Sequence, residues 1–301
     1  MYELRQTGPS SWYMDCPVRV GFLAAGDGVL MIDGGSDGDA GKKALACLEQ
    51  LDRPLRAVLC THSHADHIGG CRLIAQRTGA PVYLPDGETA FARTPALEGA
   101  LLWGAAAPLP LRGKFLLAPA FDARPLSSFA LPEGVLAQKL PGHSPDMTAY
   151  RAPDGVWFLG DALFGAETLD KYHLSYLYDA EQALASFDAA EALTGAAFVP
   201  AHADPVTEVH ALAALNRAAL REAFETVTRL CAPGVTFEEL LKGVFLCYGL
   251  TMNFSQYALV GSAVKALLTA LLARGELSAA PVSGRIIWRA KKVGNTDHPE
   301  L

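Results

Sequence analysis

The stretch Thr61-His62-Ser63-His64-Ala65-Asp66-His67-Ile68-Gly69-Gly70 holds three histidines and an aspartate within six residues. Neutral imidazole and carboxylate are ligands for zinc, and they also suit iron or manganese. His62 and His64 stand two apart; in an extended chain both rings point to the same side. Asp66 and His67 follow at the start of a predicted helix and can serve a neighbouring position. An isolated histidine more often only caps a helix or fills a polar loop. Four ligand-type residues aimed at one small volume point instead to a metal site.

The elements that must hold this cluster are legible on either side. Leu55-Arg56-Ala57-Val58-Leu59-Cys60 is a short, branched apolar run that predicts a buried strand. Ile68, Cys71, Leu73, Ile74 and Ala75 mark one face of a helix. The cluster therefore sits on a strand-to-helix turn, where a rigid base carries a functional loop. Upstream, Val18–Leu23 and Val29–Asp33 predict a hairpin turning at Gly26-Asp27-Gly28. Residues 39–51 predict a helix with Ala44, Leu45, Cys47, Leu48 and Leu51 on its apolar side.

His62-Ser63-His64-Ala65-Asp66-His67 resembles the HxHxDH signature of the metallo-β-lactamase-fold metallo-hydrolases, of glyoxalase II-like and β-lactamase-like type. The resemblance implies further ligands in a set order. Pro141-Gly142-His143-Ser144 matches the expected Gly-His, Val156-Trp157-Phe158-Leu159-Gly160-Asp161 the Asp after a buried strand, and Phe198-Val199-Pro200-Ala201-His202 the final His. It covers about residues 18 to 205. It implies an α/β fold: an αββα sandwich of two mixed sheets flanked by helices. It also implies two divalent cations, zinc first, with iron or manganese as alternatives. One would be held by His62, His64 and His143, the other by Asp66, His67 and His202, with Asp161 bridging. Asp66 and Asp161 are the expected catalytic carboxylates. The implied chemistry is a metal-bridged hydroxide attacking a small acyl substrate such as a thioester, lactone or ester. A mononuclear iron sulfur-dioxygenase and a phosphodiesterase or nuclease of the same fold are the alternatives.

Several residues have two readings. Asp33-Gly34-Gly35 resembles the family's Asp-Gly-Gly before the first helix; Asp33 either supports the metal loop or ends a strand. Asp146 stands where many relatives have glycine, and either shapes a turn or influences substrate choice. Lys171, Tyr172 and His173, in the segment after Asp161, are candidate substrate contacts; alternatively their rings only pack on a surface loop. Residues 86–131, rich in Ala, Leu, Pro and Gly, are expected to be less regular and to wall one side of the site. Six cysteines form no CxxC pair and several sit inside apolar segments; Cys60 and Cys71, which flank the cluster, read as reduced, buried hydrophobes rather than ligands.

Half the residues are hydrophobic, which excludes a disordered chain. No apolar run is expected to reach the length of a membrane span, and no signal core follows Met1-Tyr2-Glu3-Leu4-Arg5; together these predict a cytoplasmic protein. Net charge is −7, and residues 236–301 hold seven Lys/Arg against five Asp/Glu, so the rest carries −9. An acidic catalytic unit repels phosphate backbones and makes a nucleic-acid partner unexpected. Residues 1–210 are the expected catalytic domain and 211–301 a helical unit resembling a winged-helix appendage. Val206 to Leu230 predicts a long amphipathic helix. Thr236-Phe237-Glu238-Glu239 is a capping box, a second helix spans about 254–274, and a hairpin turns at Pro281, Ser283 and Gly284. The candidate recognition helix, Ala258–Leu268, has a single base and suits packing or homodimer formation better than a DNA groove. Residues 291–301 read as a frayed tail.

Overall fold

The computed structural model describes residues 2–291, so residues 292–301 of the expected frayed tail lie outside it. The first sheet holds seven strands in chain order: β1 (Glu3–Gly8), β2 (Ser11–Asp15), β3 (Val20–Ala25), β4 (Gly28–Ile32), β5 (Leu55–Leu59), β6 (Val82–Leu84) and β7 (Arg124–Pro125). Strands β1 to β4 pair antiparallel, and β4 to β7 pair parallel. The second sheet is built from β8 (Leu136–Lys139), β9 (Thr148–Arg151), β10 (Val156–Gly160) and β11 (Ala197–Pro200), with β10 and β11 parallel.

Helices cover both outer faces. Over the first sheet lie α1 (Gly38–Glu49), α2 (Ala65–Ile68) and α3 (Cys71–Thr78). The segment after β6 contains α4 (Thr89–Arg93) and α5 (Ala96–Trp103). After Asp161 come α6 (Ala166–Tyr172), α7 (Ala180–Glu191) and α8 (His210–Cys231), then α9 (Phe237–Cys247), α10 (Phe254–Ala273) and the hairpin β12 (Leu277–Val282) and β13 (Arg285–Ala290).

Strand periodicity explains the layering. In β4, Leu30 and Ile32 face the second sheet, while Val29 and Met31 face α1 and α3. In β10, Val156 and Phe158 meet Leu30, Ile32 and Leu59 between the sheets, while Trp157 and Leu159 face outward toward Ala190 of α7 and Ala213 of α8. Period-two alternation with apolar residues on both faces is what a sheet buried on both sides requires. The expected αββα sandwich of two mixed sheets is the observed architecture.

Four local expectations are refined or changed. Residues 86–131 are less regular, yet the short helices α4 and α5 form there, and Leu102, Ala107 and Leu111 pack on Ala258 of α10. The long helix begins at His210 rather than Val206, because Val206 forms a bridge with Phe198 beside β11. Pro281 lies in β12 opposite Ile286, and the turn is Ser283-Gly284, both at positive φ (49° and 77°). Finally, α10 is long and apolar enough to cross a membrane by composition alone, contrary to the expectation from the sequence. Its apolar side, including Val260, Val264, Leu267, Leu268 and Leu271, packs instead against α8 and α9 in the C-terminal core. The same burial keeps the candidate recognition helix occupied within the chain.

The break between α2 and α3 is set by close packing. A Cβ on Gly70 would come within 2.2 Å of the Gly34 carbonyl oxygen, and one on Gly69 within 2.3 Å of the Ser36 carbonyl oxygen. The Gly-Gly pair thus lets the metal-loop helix lie against the loop after β4. Gly70→Ala should cost about 2 kcal/mol or more in denaturant unfolding. Gly113→Ala, where a Cβ would meet nothing within 4 Å, should stay within about 0.5 kcal/mol.

Candidate metal centre

Every side chain of the predicted set sits just past the C-terminal end of a strand, on one edge of the sandwich. His62, His64, Asp66 and His67 follow β5, His143 follows β8, Asp161 follows β10 and His202 follows β11. The two sheets are tied at this edge. Thr148 N–H donates to the Thr61 carbonyl at 2.9 Å, Tyr150 Oη–H donates to the Cys60 carbonyl at 2.9 Å, and Arg19 N–H donates to the Ala201 carbonyl at 3.1 Å.

The seven side chains converge. His143 Nε2 and His64 Nδ1 are 2.9 Å apart, and His67 Nε2 is 3.1 Å from Asp161 Oδ1. Asp161 Oδ2 lies 3.4 Å from both His143 Nε2 and His202 Nε2, and His202 Nε2 lies 3.4 Å from Asp66 Oδ2. The donor atoms fall into three groups, each within 4.8 Å: His62, His64 and His143; His62, His67 and Asp161; and Asp66, His67 and His202. Cys60 and Cys71 are in none of them; both are buried, with their sulfurs 3.6 Å apart beneath the loop.

Ring orientation is fixed by the other nitrogen of each histidine. His67 Nδ1–H donates to Asp33 Oδ2 at 2.8 Å, and His143 Nδ1–H donates to the Tyr176 carbonyl at 3.1 Å. His62 Nδ1 meets Thr61 Oγ1 at 3.0 Å. Each of these rings therefore aims Nε2 into the cluster. The buried atoms left without a hydrogen-bond partner include His62 Nε2, His67 Nε2 and Asp161 Oδ1. Buried polar atoms are rarely orphaned, and three facing one volume need a shared partner. A cation is the partner that imidazole lone pairs and carboxylate oxygens can hold in common.

Charge leads to the same requirement. Burial, with His67 and His64 nearby, holds His62 well below the usual histidine range; burial likewise takes His64 to about 4 and His143 to about 3. These three are neutral donors at pH 7. His67 and His202 differ: burial lowers them, but Asp161 and the other carboxylates outweigh it, raising His67 well above its ordinary value and His202 to about 10. Burial raises Asp161 and Asp66, yet the neighbouring His202 and His67 win, leaving Asp161 far below its usual range and Asp66 at about 2. The cluster calls for positive charge beside its carboxylates, and bound cations would supply it without protonating the rings.

Asp33 is the supporting carboxylate of the metal loop, not merely a strand end. It lies in the left-handed region at φ 63°, a conformation that costs a non-glycine residue about 1 kcal/mol or more. There it accepts from Thr61 N–H at 2.7 Å, Thr61 Oγ1–H at 2.9 Å and His67. Asp146 points away from the cluster: it accepts from Gly87 N–H at 3.0 Å and Lys139 Nζ at 2.5 Å, so its role here is to fasten a turn.

Two glutamates went unnoticed in the sequence. Glu88 is fully buried between the two histidine loops. Its Oε2 accepts from Ser63 N–H at 2.6 Å, and its Oε1 accepts from Ser144 Oγ–H at 2.5 Å and Asp146 N–H at 3.0 Å. Glu98, also buried, places Oε1 3.7 Å from His64 Nε2; burial, with Glu88 and Asp66 nearby, pushes its carboxyl up to about 8. Residues 86–131 hold four acids, Asp86, Glu88, Glu98 and Asp122, and nothing local distinguishes the two that become buried. Of the candidate substrate contacts, His173 lines the cavity beside His143 and stacks on Tyr248 at 5.1 Å. Lys171 and Tyr172 are exposed and outside that lining, with Lys171 Nζ over the Tyr172 ring. Tyr176 and Phe164 approach instead, 5.0 Å from His64 and 5.7 Å from His143 respectively.

Comparison with known proteins agrees with this layout. Hydroxyacylglutathione hydrolases from Methylobacillus flagellatus and Pseudomonas entomophila are 34% and 36% identical over 130 and 115 residues, covering 43% and 37% of this chain. The matches span only 42% and 35% of those relatives. A beta-lactamase domain protein from Burkholderia ambifaria superposes with TM-score 0.73 at 18% identity, covering 96% of this chain and 94% of its own. A metallo-beta-lactamase family protein from Thermus thermophilus superposes with TM-score 0.71 at 20% identity, covering 94% and 99%. At such identities the likeness concerns the fold, and for both structures it extends through the C-terminal region. Residues 13–202 match the Metallo-beta-lactamase superfamily, which takes in every side chain of the cluster, and the chain belongs to that superfamily.

Proposed function

We propose that the protein is a dinuclear metal-dependent hydrolase of a small acyl substrate, a thioester, lactone or ester. The carrying observation is the donor set itself: two triads that meet at Asp161, with buried orphan atoms on both sides. His62, His64 and His143 would hold one ion, and Asp66, His67 and His202 the other, with Asp161 between them. A single-ion dioxygenase leaves Asp66, His67 and His202 without a task, so the second triad favours the dinuclear reading. Zinc is the proposed metal, since imidazole and carboxylate are its common ligands. Hydroxyacylglutathione hydrolases among the relatives support acyl hydrolysis as the reaction class.

When bound, the ions supply Lewis acidity, which lowers the pKa of water toward neutrality and polarises a carbonyl. The rest falls to the chain's own groups. Asp66, with its side chain one-third exposed and held ionised by His67 and His202, can accept a hydrogen bond from water and orient it. Asp33 and the Tyr176 carbonyl fix the His67 and His143 rings, and Phe164 and Tyr176 screen one side from solvent. Glu88 holds the His62–His64 turn against the His143 turn, and so sets the separation of ligands that lie far apart in the chain.

Elemental analysis of protein purified with zinc should give two ions per chain, and His64→Ala should lower this to one with at least a roughly 100-fold loss of thioester or lactone hydrolysis. Retention of both metals and full turnover would overturn the assignment. Glu88→Gln replaces an acceptor of three N–H and O–H donors with an amide that can clash with them. It should weaken metal affinity about 10- to 100-fold and alter the visible spectrum of the cobalt-substituted protein. Wild-type affinity together with an unchanged spectrum would assign Glu88 to stability alone.

A further inference from the structure

A cavity opens beside His143 and Asp161, enclosed by the segment after Asp161, by α7 and by α8. Its wall is apolar: Leu140, Met147, Phe164, Leu174, Phe187 and Leu220. The deeper polar side chains in the wall are already engaged. Asn216 accepts from Phe164 N–H at 2.9 Å and donates to the carbonyls of Phe164 and Leu212, each at 2.8 Å. Ser186 Oγ–H donates to the Pro141 carbonyl at 2.6 Å. The half-buried Ser175 and Tyr176 and the exposed His173 remain, and His173 faces Tyr248. A guest in this space would therefore meet mostly carbon, with the metal-ligand cluster at one end. A void left by imperfect packing has no reason to reach two members of that cluster and also to open outward.

Its size sets a limit. The cavity measures about 60 Å³. One water-sized group takes roughly 10–15 Å³ on this scale, so there is room for roughly four to six such groups, and a methylene is of similar size.

We propose that this cavity is the acyl-chain subsite, taking an unbranched aliphatic chain of about four to six carbons whose carbonyl lies at the His143–Asp161 end. The proposal rests on the hydrolase reading and narrows its substrate class to short-chain aliphatic acyl thioesters or alkyl-substituted lactones. Transfer of a methylene from water into an apolar site is worth about a 3- to 4-fold gain in affinity. The selectivity follows from adding such steps until the cavity is full.

The test uses the zinc-loaded full chain and N-acetylcysteamine thioesters from acetyl to decanoyl, so that the leaving thiol is constant. kcat/KM should climb about 3- to 4-fold per methylene up to butanoyl–hexanoyl and then level off or fall. Ala219→Phe, which adds a ring from α8 into the lining, should bring the hexanoyl value down to that of acetyl. Leu220→Ala, which enlarges the space, should move the optimum to longer chains and covers the case in which Ala219→Phe does not fold. Calorimetric titration with butanoate, hexanoate and octanoate reads the subsite without turnover. The same dependence on length, and its loss in Ala219→Phe, should appear there. Hydrolysis with no length preference would overturn the subsite while leaving the hydrolase standing. Length-dependent carboxylate binding with no hydrolysis of any thioester or lactone would overturn the hydrolase while leaving the apolar subsite. Carboxylate binding that ignores chain length would overturn the subsite whatever the activity.

Discussion

Five imidazoles and three carboxylates share one buried edge of the sandwich, and this arrangement is stable only with positive charge among them. His62, His64 and His143 are too deeply buried to protonate near neutral pH. Asp66 and Asp161 are held ionised by the neighbouring His67 and His202. The unpartnered atoms, His62 Nε2, His67 Nε2 and Asp161 Oδ1, mark where that charge belongs. The surrounding structure can be understood as the scaffold that keeps these groups close despite the cost of burying polar atoms.

That scaffold works through strand ends and supporting carboxylates. Because β4 and β5 run parallel, as do β10 and β11, their C-terminal ends gather Asp33, the His62–His67 loop, Asp161 and His202 on the same edge. Asp33 accepts a strained backbone to reach His67 and Thr61 together. Glu88 does the corresponding work across the sheets, joining the turn after β5 to the turn after β8. Asp146 then secures the residues beside Glu88 through Gly87. A chain of carboxylates thus spaces the cluster, each one accepting from at least one backbone N–H, with the His67 ring added at Asp33 and Lys139 at Asp146.

The C-terminal helices contribute to the site as well as to their own core. Helix α8 supplies Asn216 and Leu220 to the cavity beside His143, and Asn216 holds Phe164 through both its backbone N–H and its carbonyl. Helix α10 buries the face that made it look membrane-competent by composition, and through Ala258 it supports the segment that carries Glu98. The 163–178 segment is therefore clamped between the metal edge and α8, which fixes the wall of the cavity.

The sequence by itself carried the metal loop, and through that loop's resemblance to a known family it implied the sandwich and the ligand order. The buried run before His62 and the Gly-Gly after it are local signals, and the His and Asp residues of the loop are chemically distinctive. It also carried Asp33, but could not decide whether that residue was a strand end or a support, because the answer lies in a contact with His67 34 residues away. Only the tertiary structure decided the roles of Glu88, Asp146 and Tyr176, the helices inside 86–131 and the apolar cavity. Glu88 meets Ser63 across 25 residues and Ser144 across 56, and no local periodicity encodes such contacts. Donor type is written in the side chain. The partner of a buried carboxylate and the shape of a void depend on how distant segments pack.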